Sequence, residues 1–491
     1  MNPARGAATV GGLTLASRVL GFARDMWLAR LIGAGPVADA LFLALRVPEL
    51  MRRLVAEGAL SAALAPKVQA ARIEGGDAAA ARSIGAALGI VLPVALALSG
   101  LSALAAPILA GALGGPDPRL TGQLLAAVSP FLGATLITAL LGALLNGLHR
   151  FAAAAAMPVL LNLVLLAALA LAPSEQTALV RWQAGAMALG GVVQALVLAL
   201  ACHRHGLRLM PPGRAGMAML RAVGRALPPA VLSIGLYQLL QFLGGLIAAR
   251  AGPGAVAALH FADRFVQLPL GVLGIGVGAA LTQTLAAEAA AGGADSQAES
   301  QAIEATLAIA MPAGAALALI APEIVRAVYQ GGAFGVEAAA TTAHTLAILA
   351  VGLPAFVLAR VLMARAFAQA RHAPLLRSGA LALAVFGLAA LVVRIDGPAG
   401  VAAAVSFGGW AQCAGLWRRD LLRKGQMVQL ARLGLATAVM ALGLLGLKPL
   451  IEALSAWAAL GVLVAGGLSV YALAARLLCG YTARTLLTAL K

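Results

Sequence analysis

The chain has 491 residues, of which 62% are hydrophobic and only 11% are charged, and its mean hydropathy is +0.95. Soluble domains carry about 25% charged residues, so this composition excludes a soluble globular protein and indicates a polytopic membrane protein. The formal net charge of +17 is explained by positively charged cytoplasmic loops, and we expect no nucleic-acid partner. The three cysteines, Cys202, Cys413 and Cys479, are far apart, which favours neither a disulfide framework nor a metal site.

The apolar segments are long and continuous, which predicts membrane-spanning helices and not barrel strands. Glycine and proline residues punctuate them at turns such as 33–36, 114–116, 252–254, 331–332 and 397–398. We predict fourteen helices, at 7–32, 37–66, 80–112, 121–147, 152–172, 182–201, 222–249, 255–289, 301–329, 338–368, 374–393, 399–417, 430–447 and 456–478. The predicted fold class is therefore an all-α polytopic membrane protein with about 14 transmembrane helices.

Lysine and arginine residues are distributed unevenly over the predicted loops. With the N-terminus placed in the cytoplasm, twenty fall in cytoplasmic segments and six on the opposite side. Because cytoplasmic loops carry the excess of Lys and Arg, we expect both termini in the cytoplasm. The first apolar run contains Arg18 and Arg24 and leads into a second span, so it is interpreted as a retained helix and not as a signal peptide.

Prolines recur along the chain at a near-constant offset of 215 to 221 residues. The pairs are Pro48 with Pro269, Pro93 with Pro312, Pro107 with Pro322, and Pro158 with Pro374. The offset spans six helices, so the two copies would share one orientation, related by a pseudo-two-fold axis along the membrane normal, as in many transporters. We predict an N-terminal lobe at 1–205, a C-terminal lobe at 206–425 and an extra helix pair at 426–491, with alternating access to a cleft between the lobes.

Arginines are unusually frequent inside the predicted spans. An arginine at bilayer depth costs roughly 2.5–3.5 kcal/mol on insertion scales, so it must face protein or water. Five of the nine fall within residues 18–53, which predicts a cationic cavity that selects an anion. The nine are Arg18, Arg24, Arg46, Arg52, Arg53, Arg264, Arg326, Arg360 and Arg365.

The charged residues of helix 1 are spaced to share faces of the helix. Ser17 and Arg24 are seven residues apart, as are Arg18 and Asp25. Asp25 can pair with one of the arginines but cannot neutralise both. The planar guanidinium group donates paired hydrogen bonds to phosphate or carboxylate, so an arginine left over is suited to an oxyanion.

Helix 2 contains Asp39 near its start and a dense charged segment around Pro48, which should kink the helix. Glu49 and Glu57 each lie four residues from Arg53, within reach of a salt bridge. Two interpretations stay open at this point. The charges of helices 1 and 2 either lock the helices together, or at least two of the arginines contact a substrate.

Motifs for ATP binding, metal binding and catalysis are missing from the sequence. It contains no GxxxxGK[ST] motif, no HExxH motif and no Cys/His cluster. We therefore expect that the protein is not an enzyme, needs no cofactor and draws on an ion gradient, the membrane potential or consumption of its product. Predicted helices 7, 11 and 12 contain no acidic residue, which argues against a carboxylate-based sodium site there.

These charged motifs resemble the MurJ (MviN) family of bacterial lipid II flippases, in the multidrug/oligosaccharidyl-lipid/polysaccharide exporter superfamily. The resemblance extends over nearly the whole chain and is most specific in four segments, Ser17–Asp25, Gly33–Asp39, Arg46–Ala59 and Ala262–Pro269. One departure is the stretch Phe367–Pro374, which replaces a tyrosine-containing stretch usual in the family.

The resemblance implies a substrate, lipid II, which is undecaprenyl-pyrophosphate carrying the disaccharide-pentapeptide precursor of peptidoglycan. It implies movement from the cytoplasmic to the periplasmic leaflet of the inner membrane, with membrane lipids and other cell-wall synthesis proteins as further partners. The substrate-binding residues it implies are Arg18, Arg24, Arg52, Arg53 and Arg264, supported by Ser17, Asp39 and Glu57. Asp25 is predicted as a further supporting residue, because it can pair with an arginine of helix 1. The alternatives are a flippase for another polyprenyl-pyrophosphate oligosaccharide, a multidrug antiporter and a non-transporting scaffold.

Overall fold

The structure is a computed structural model of the 491-residue chain. It describes residues 3–52, 59–204, 206–208, 210–211, 213, 216–218, 220–221, 224, 238–271, 297–368, 372–392, 397–417 and 424–481. Of the predicted site residues, Arg53 and Glu57 lie outside these ranges, as does the 369–371 part of the atypical stretch.

The described part of the chain is built from helices and contains no β-strand apart from an isolated bridge between Gly331 and Phe334. The first helices are α1 (Pro3–Ile32), α2 (Pro36–Met51), α3 (Ala59–Leu113), α4 (Pro118–Gly147), α5 (Phe151–Ala170), α6 (Gln176–His203), α7 (Gln238–Ala248) and α8 (255–271). The later ones are α9 (Gln297–Leu319), α10 (Ala321–Val328), α11 (Val336–Val351), α12 (Leu353–Ala368), α13 (His372–Val392), α14 (Pro398–Leu416), α15 (Lys424–Leu447) and α16 (Ala456–Cys479).

Each of the fourteen predicted spans has helix at its position in this described part. Nine segments are long and apolar enough to cross a membrane within the described ranges, and the shorter α7 is apolar as well. The prediction of an all-α polytopic membrane protein is therefore confirmed.

Glycines end several helices where the sequence predicts turns. Gly33 has a φ of 68° between α1 and α2, and Gly114 has a φ of 76° after α3. Within α3, Gly75 and Gly76 leave the helical conformation, and Gly76 has a φ of 72°. L side chains rarely adopt this left-handed conformation, so the glycine pair divides α3 into two helical segments.

Two predicted spans are each divided into two helices. The span predicted at 301–329 breaks at Ile320, and the span predicted at 338–368 breaks at Gly352. In both, a proline, Pro322 or Pro354, lies in the first turn of the second helix. Since proline has no N–H to donate, it is tolerated there and favours a new helix start.

At the break at Gly352, side chains from α14 donate hydrogen bonds to the last carbonyl groups of α11. Ser406 Oγ donates to the carbonyl of Ile348 at 3.2 Å, and Trp410 Nε1 donates to the carbonyl of Val351 at 3.2 Å. In a bilayer no water satisfies a broken backbone, so side-chain donors of this kind allow the interruption.

The chain separates into two compact units, residues 1–238 and 239–491. In the first unit, α4 packs against α3 and α6, and α1 packs along α5. Its core contains Leu64, Ile84, Leu144 and Leu198, all less than 2% exposed. Small residues allow close helix contacts in membranes, and here a Cβ added at Gly147 would lie 2.2 Å from a methyl group of Val68.

In the second unit, α13 packs against α14, and α9 packs against α11, α12 and α15. One buried core joins α9, α12, α13 and α14 through side chains such as Ile303, Leu362, Leu375 and Cys413. An aromatic cluster joins α8 to the segment after α10. It consists of Phe261, Phe265, Tyr329 and Phe334, with ring centroids 4.9 to 5.6 Å apart.

Candidate functional site: a polar network on the first helix

Arg24 lies in the middle of a hydrogen-bond network on α1. Its Nε and Nη2 atoms donate to Asp25 Oδ1 at 2.9 and 2.6 Å. Its Nη1 atom donates to Asn162 Oδ1 of α5 at 3.2 Å. The Arg24 side chain is 17% exposed and the Asp25 side chain 3%, so the ion pair is largely shielded from water.

Asn162 connects α5 to two turns of α1. Besides accepting from Arg24, it donates through Nδ2 to the carbonyl of Ser17 at 2.9 Å and to the Ser17 hydroxyl at 3.3 Å. A single amide therefore links Ser17 with Arg24, two residues that the sequence places on one face of helix 1. The amide carries no net charge, so it fixes the guanidinium without neutralising it.

The sequence analysis missed Asn162, although a signal was available. Asn162 is the only polar side chain in α5, Phe151–Ala170. A lone polar residue in a membrane span usually forms an interhelical hydrogen bond or belongs to a functional site. The sequence could have flagged the residue, but only the packing of α1 on α5 identifies Ser17 and Arg24 as its partners.

Gly21 creates the space that this network needs. It lies on α1 between Ser17 and Arg24, and a Cβ added there would approach Asn162 Nδ2 to 3.3 Å. That distance is tight, so any larger residue would displace the amide or push the two helices apart. Glycine at this position thus allows α5 to approach α1 closely.

The hydrogen bonds of Arg24 leave part of its donor capacity unused. A guanidinium group has five N–H donors, and three of them are engaged with Asp25 and Asn162. Within the described part of the chain, one N–H on each terminal nitrogen remains. Two such donors in one plane match two oxygens of a phosphate group.

The other predicted site residues of α1 and α2 lie in the same unit. Arg18 is half-buried, whereas Asp39 is completely buried in the first turn of α2, where the helix dipole favours a carboxylate. Arg52 lies directly after α2, 3.6 Å from Glu49. The predicted pairing of Glu49 and Glu57 with Arg53 falls outside the described residues.

Arg264 belongs to the second unit, on α8. Its Nη2 atom lies 3.4 Å from Nε2 of His260, one turn earlier. The neighbouring Asp263 carboxylate accepts hydrogen bonds from the amide groups of Gln241 and Gln267. Both charged side chains are half-buried among polar partners within their own unit.

The remaining intramembrane arginines of the second unit differ in environment. Arg365 forms a buried ion pair with Glu299 at 2.8 Å, joining α12 to α9, whereas Arg326 on α10 is exposed. No group of three or more His, Cys, Asp or Glu residues that could hold a metal ion occurs in the ranges that the structure describes.

The described part of the chain is that of a polytopic helical membrane protein, and arginines within such spans are typical of proteins with a substrate or ion pathway. The family model described as lipid II flippase MurJ matches residues 28–466, so the chain belongs to this family.

Individual relatives agree with this assignment. A probable lipid II flippase MurJ of Rhizobium tropici is 35% identical over 441 residues, covering 86% of this chain and 81% of the relative. A lipid II flippase MurJ of Burkholderia cenocepacia is 32% identical, covering 74% of this chain and 72% of the relative. The solved structure of a lipid II flippase MurJ in an inward closed conformation has a TM-score of 0.81 at 19% identity, covering 95% of this chain and 98% of that one, which supports the fold.

Proposed function

We propose that this protein moves lipid II from the cytoplasmic to the periplasmic leaflet of the bacterial inner membrane by alternating access. Membership of the lipid II flippase family supports the substrate. The observation that carries the proposal is the partly satisfied Arg24 guanidinium, since lipid II presents a pyrophosphate group that needs such donors. The family model matches residues 28–466, which include Asn162 but not Ser17, Arg24 or Asp25, so the contacts of Arg24 add to the support from the family match.

In this proposal Arg24 binds one phosphate of the pyrophosphate through its two remaining N–H groups. The arginines proposed as further substrate contacts are Arg18, Arg52, Arg53 and Arg264. Ser17 and Asp25 hold Arg24 in place directly or through Asn162, as their hydrogen bonds suggest. Asp39 and Glu57 are proposed to support the cavity electrostatically, because their carboxylates offset part of the positive charge of the arginines.

The proposed orientation has both termini in the cytoplasm, because Lys and Arg residues are concentrated in the loops that this orientation places there. Other cell-wall synthesis proteins are proposed partners, because they make and consume the substrate.

Replacing Arg24 by lysine tests the proposal. Lysine keeps the positive charge but loses the planar pair of donors. In cells depleted of the native protein, we expect the lysine variant to restore outward flipping of labelled lipid II, measured leaflet by leaflet, almost as poorly as an alanine variant. The loss of two charge-assisted hydrogen bonds predicts at least a tenfold lower rate.

The matched control is Arg326→Ala, which removes an exposed arginine of α10 and should leave flipping unchanged. Immunoblotting of membranes must show equal amounts of each variant. Full activity of Arg24→Lys would reduce the arginine to a source of positive potential. Flipping of a different polyprenyl-pyrophosphate glycan, with lipid II left unmoved, would favour the alternative substrate.

A further inference from the structure

A proline interrupts the backbone hydrogen bonds of α9. Pro312 lies inside this helix, and proline has no N–H group to donate to the carbonyl four residues earlier. That carbonyl belongs to Ala308. Because α9 is one of the apolar membrane-spanning segments, no water replaces the missing donor at that depth.

Tyr471 of α16 supplies a donor to this same carbonyl. Its hydroxyl group donates a hydrogen bond to the Ala308 oxygen, and the side chain is 7% exposed. A tyrosine hydroxyl buried in an apolar environment needs a polar partner. The proline in α9 and the tyrosine in α16 therefore satisfy each other's requirements.

Two further contacts hold the C-terminal helix pair, α15 and α16, on α9 and α10. At one end, Tyr481 donates to a carboxylate oxygen of Glu304. Burial raises the pKa of the Tyr481 hydroxyl and the hydrogen bond to Glu304 adds to the rise, so Tyr481 remains a donor at neutral pH. At the other end, Lys448 Nζ lies 3.0 Å from Glu323 Oε1.

We propose that Tyr471 is a positioning residue that docks the C-terminal helix pair onto α9 at Pro312 by replacing the backbone donor that the proline lacks. The Tyr481 and Lys448 contacts fix the two ends, so α15 and α16 move as one body with α9 and α10. This inference goes beyond the proposed function, because it concerns how the C-terminal helix pair is attached and it holds for any substrate.

The test is a double-mutant cycle on the full-length protein in detergent. Tyr471→Phe removes only the hydroxyl group, so the Ala308 carbonyl loses its donor, and we expect the apparent Tm to fall by about 1–3 °C. Pro312→Ala restores an N–H group at position 312. In that background, we expect Tyr471→Phe to lower the Tm by less than half as much, because Ala308 then has its ordinary helical partner.

The control is Tyr481→Phe, which breaks the contact with Glu304 and leaves the carbonyl of Ala308 unaffected. Its effect on Tm should be the same with proline or alanine at position 312. An equal loss for Tyr471→Phe in both backgrounds, or no loss at all, would overturn the proposal.

A second measurement covers the case in which Tyr471→Phe does not accumulate as folded protein. The yield of monodisperse protein after size-exclusion chromatography is then compared for the single and double variants. Recovery of yield on adding Pro312→Ala supports the exchange of donors. Equally poor yield in the double variant contradicts it, provided that Pro312→Ala alone gives normal yield. A poor yield from Pro312→Ala alone would also count against the proposal, since it would show that Pro312 has a role beyond leaving the Ala308 carbonyl without a backbone donor.

Discussion

Arg24 is held by one charged and one neutral partner, and the neutral one decides what the arginine can still do. If both partners were carboxylates, their combined negative charge would repel a pyrophosphate. With Asp25 on one side and the Asn162 amide on the other, the guanidinium group is oriented, and Asp25 is the one carboxylate that it contacts in the described part of the chain. Asp25 therefore orients Arg24 and partly neutralises it, whereas Asn162 orients it without adding a charge.

Asn162→Leu should separate these two contributions. The change keeps a similar volume but removes the acceptor for Arg24 and the donor to Ser17. Hydrogen bonds to charged groups contribute about 1.5–3 kcal/mol, so we expect roughly a tenfold or greater loss of lipid II flipping in the leaflet-resolved assay, with normal protein levels.

The matched control for Asn162→Leu is Gln194→Leu. Gln194 lies on α6 and donates to the carbonyl of Met157 at 2.6 Å. Met157 belongs to α5, the helix of Asn162, but the hydrogen bonds of Arg24 go to Asp25 and Asn162 and not to Gln194. Its replacement should lower stability without a specific loss of flipping. If Asn162→Leu flips lipid II as well as the unmodified protein, the amide has no part in substrate binding.

At this scale the sequence predicts residue types better than partners. The seven-residue spacing of Ser17 and Arg24 predicts a shared face, and the structure joins them through Asn162, 138 residues beyond Arg24. Such a partner depends on which helices pack together. The adjacent pairing of Arg24 with Asp25 also departs from simple helical spacing, because a long arginine side chain can fold back onto its neighbour.

At the scale of the helices, small residues determine how closely the elements approach each other. Gly21 allows close contact between α1 and α5. Gly191 does the same between α6 and α4, where an added Cβ would lie 2.7 Å from the ring of Phe131. In a bilayer, packing and hydrogen bonds hold helices together more than hydrophobicity does. The close contact and the polar network therefore depend on each other.

Gly21→Ala should disturb the network without touching a charged residue. The added methyl group meets Asn162 at 3.3 Å, so the amide must shift by a few tenths of an ångström and Arg24 loses its alignment. We expect a partial loss of lipid II flipping, smaller than that of Asn162→Leu.

Gly12→Ala in the same helix is the control, because an added Cβ there meets nothing within 4 Å. Both substitutions raise helix propensity by a similar amount, which cancels in the comparison. Equal activity of the two variants would show that the close approach at Gly21 has no functional consequence.

The helix boundaries illustrate what sequence patterns can predict at this scale. Turns at Gly33, Gly114 and Gly397 follow from positive φ angles that favour glycine. The breaks at Ile320 and Gly352 were predicted as continuous helix, because hydropathy does not fall there. Proline in the next turn provided a local signal, but the donors that stabilise the second break come from α14, far away in sequence.

For the whole molecule, composition alone identified the membrane class, since 11% charged residues cannot cover a soluble surface. The predicted lobes at 1–205 and 206–425 and their pseudo-symmetry remain a prediction.

The predicted membrane spans carry an excess of positive charge, which bears on the energy source of transport. A charge that moves across the membrane couples transport to the membrane potential, and no P-loop motif is present to couple it to ATP.

We therefore predict that flipping depends on the membrane potential and not strictly on sodium. Moving half an elementary charge through about 100 mV shifts a two-state equilibrium by roughly 1 kcal/mol, which is about fivefold. Predicted helices 7, 11 and 12 carry no carboxylate to bind sodium. Collapsing the potential with an ionophore at constant ATP should slow lipid II flipping about fivefold, whereas replacing sodium at constant potential should leave it intact. Flipping that stops on sodium removal alone would instead require a cation site built from neutral oxygen ligands, such as backbone carbonyls at a broken helix.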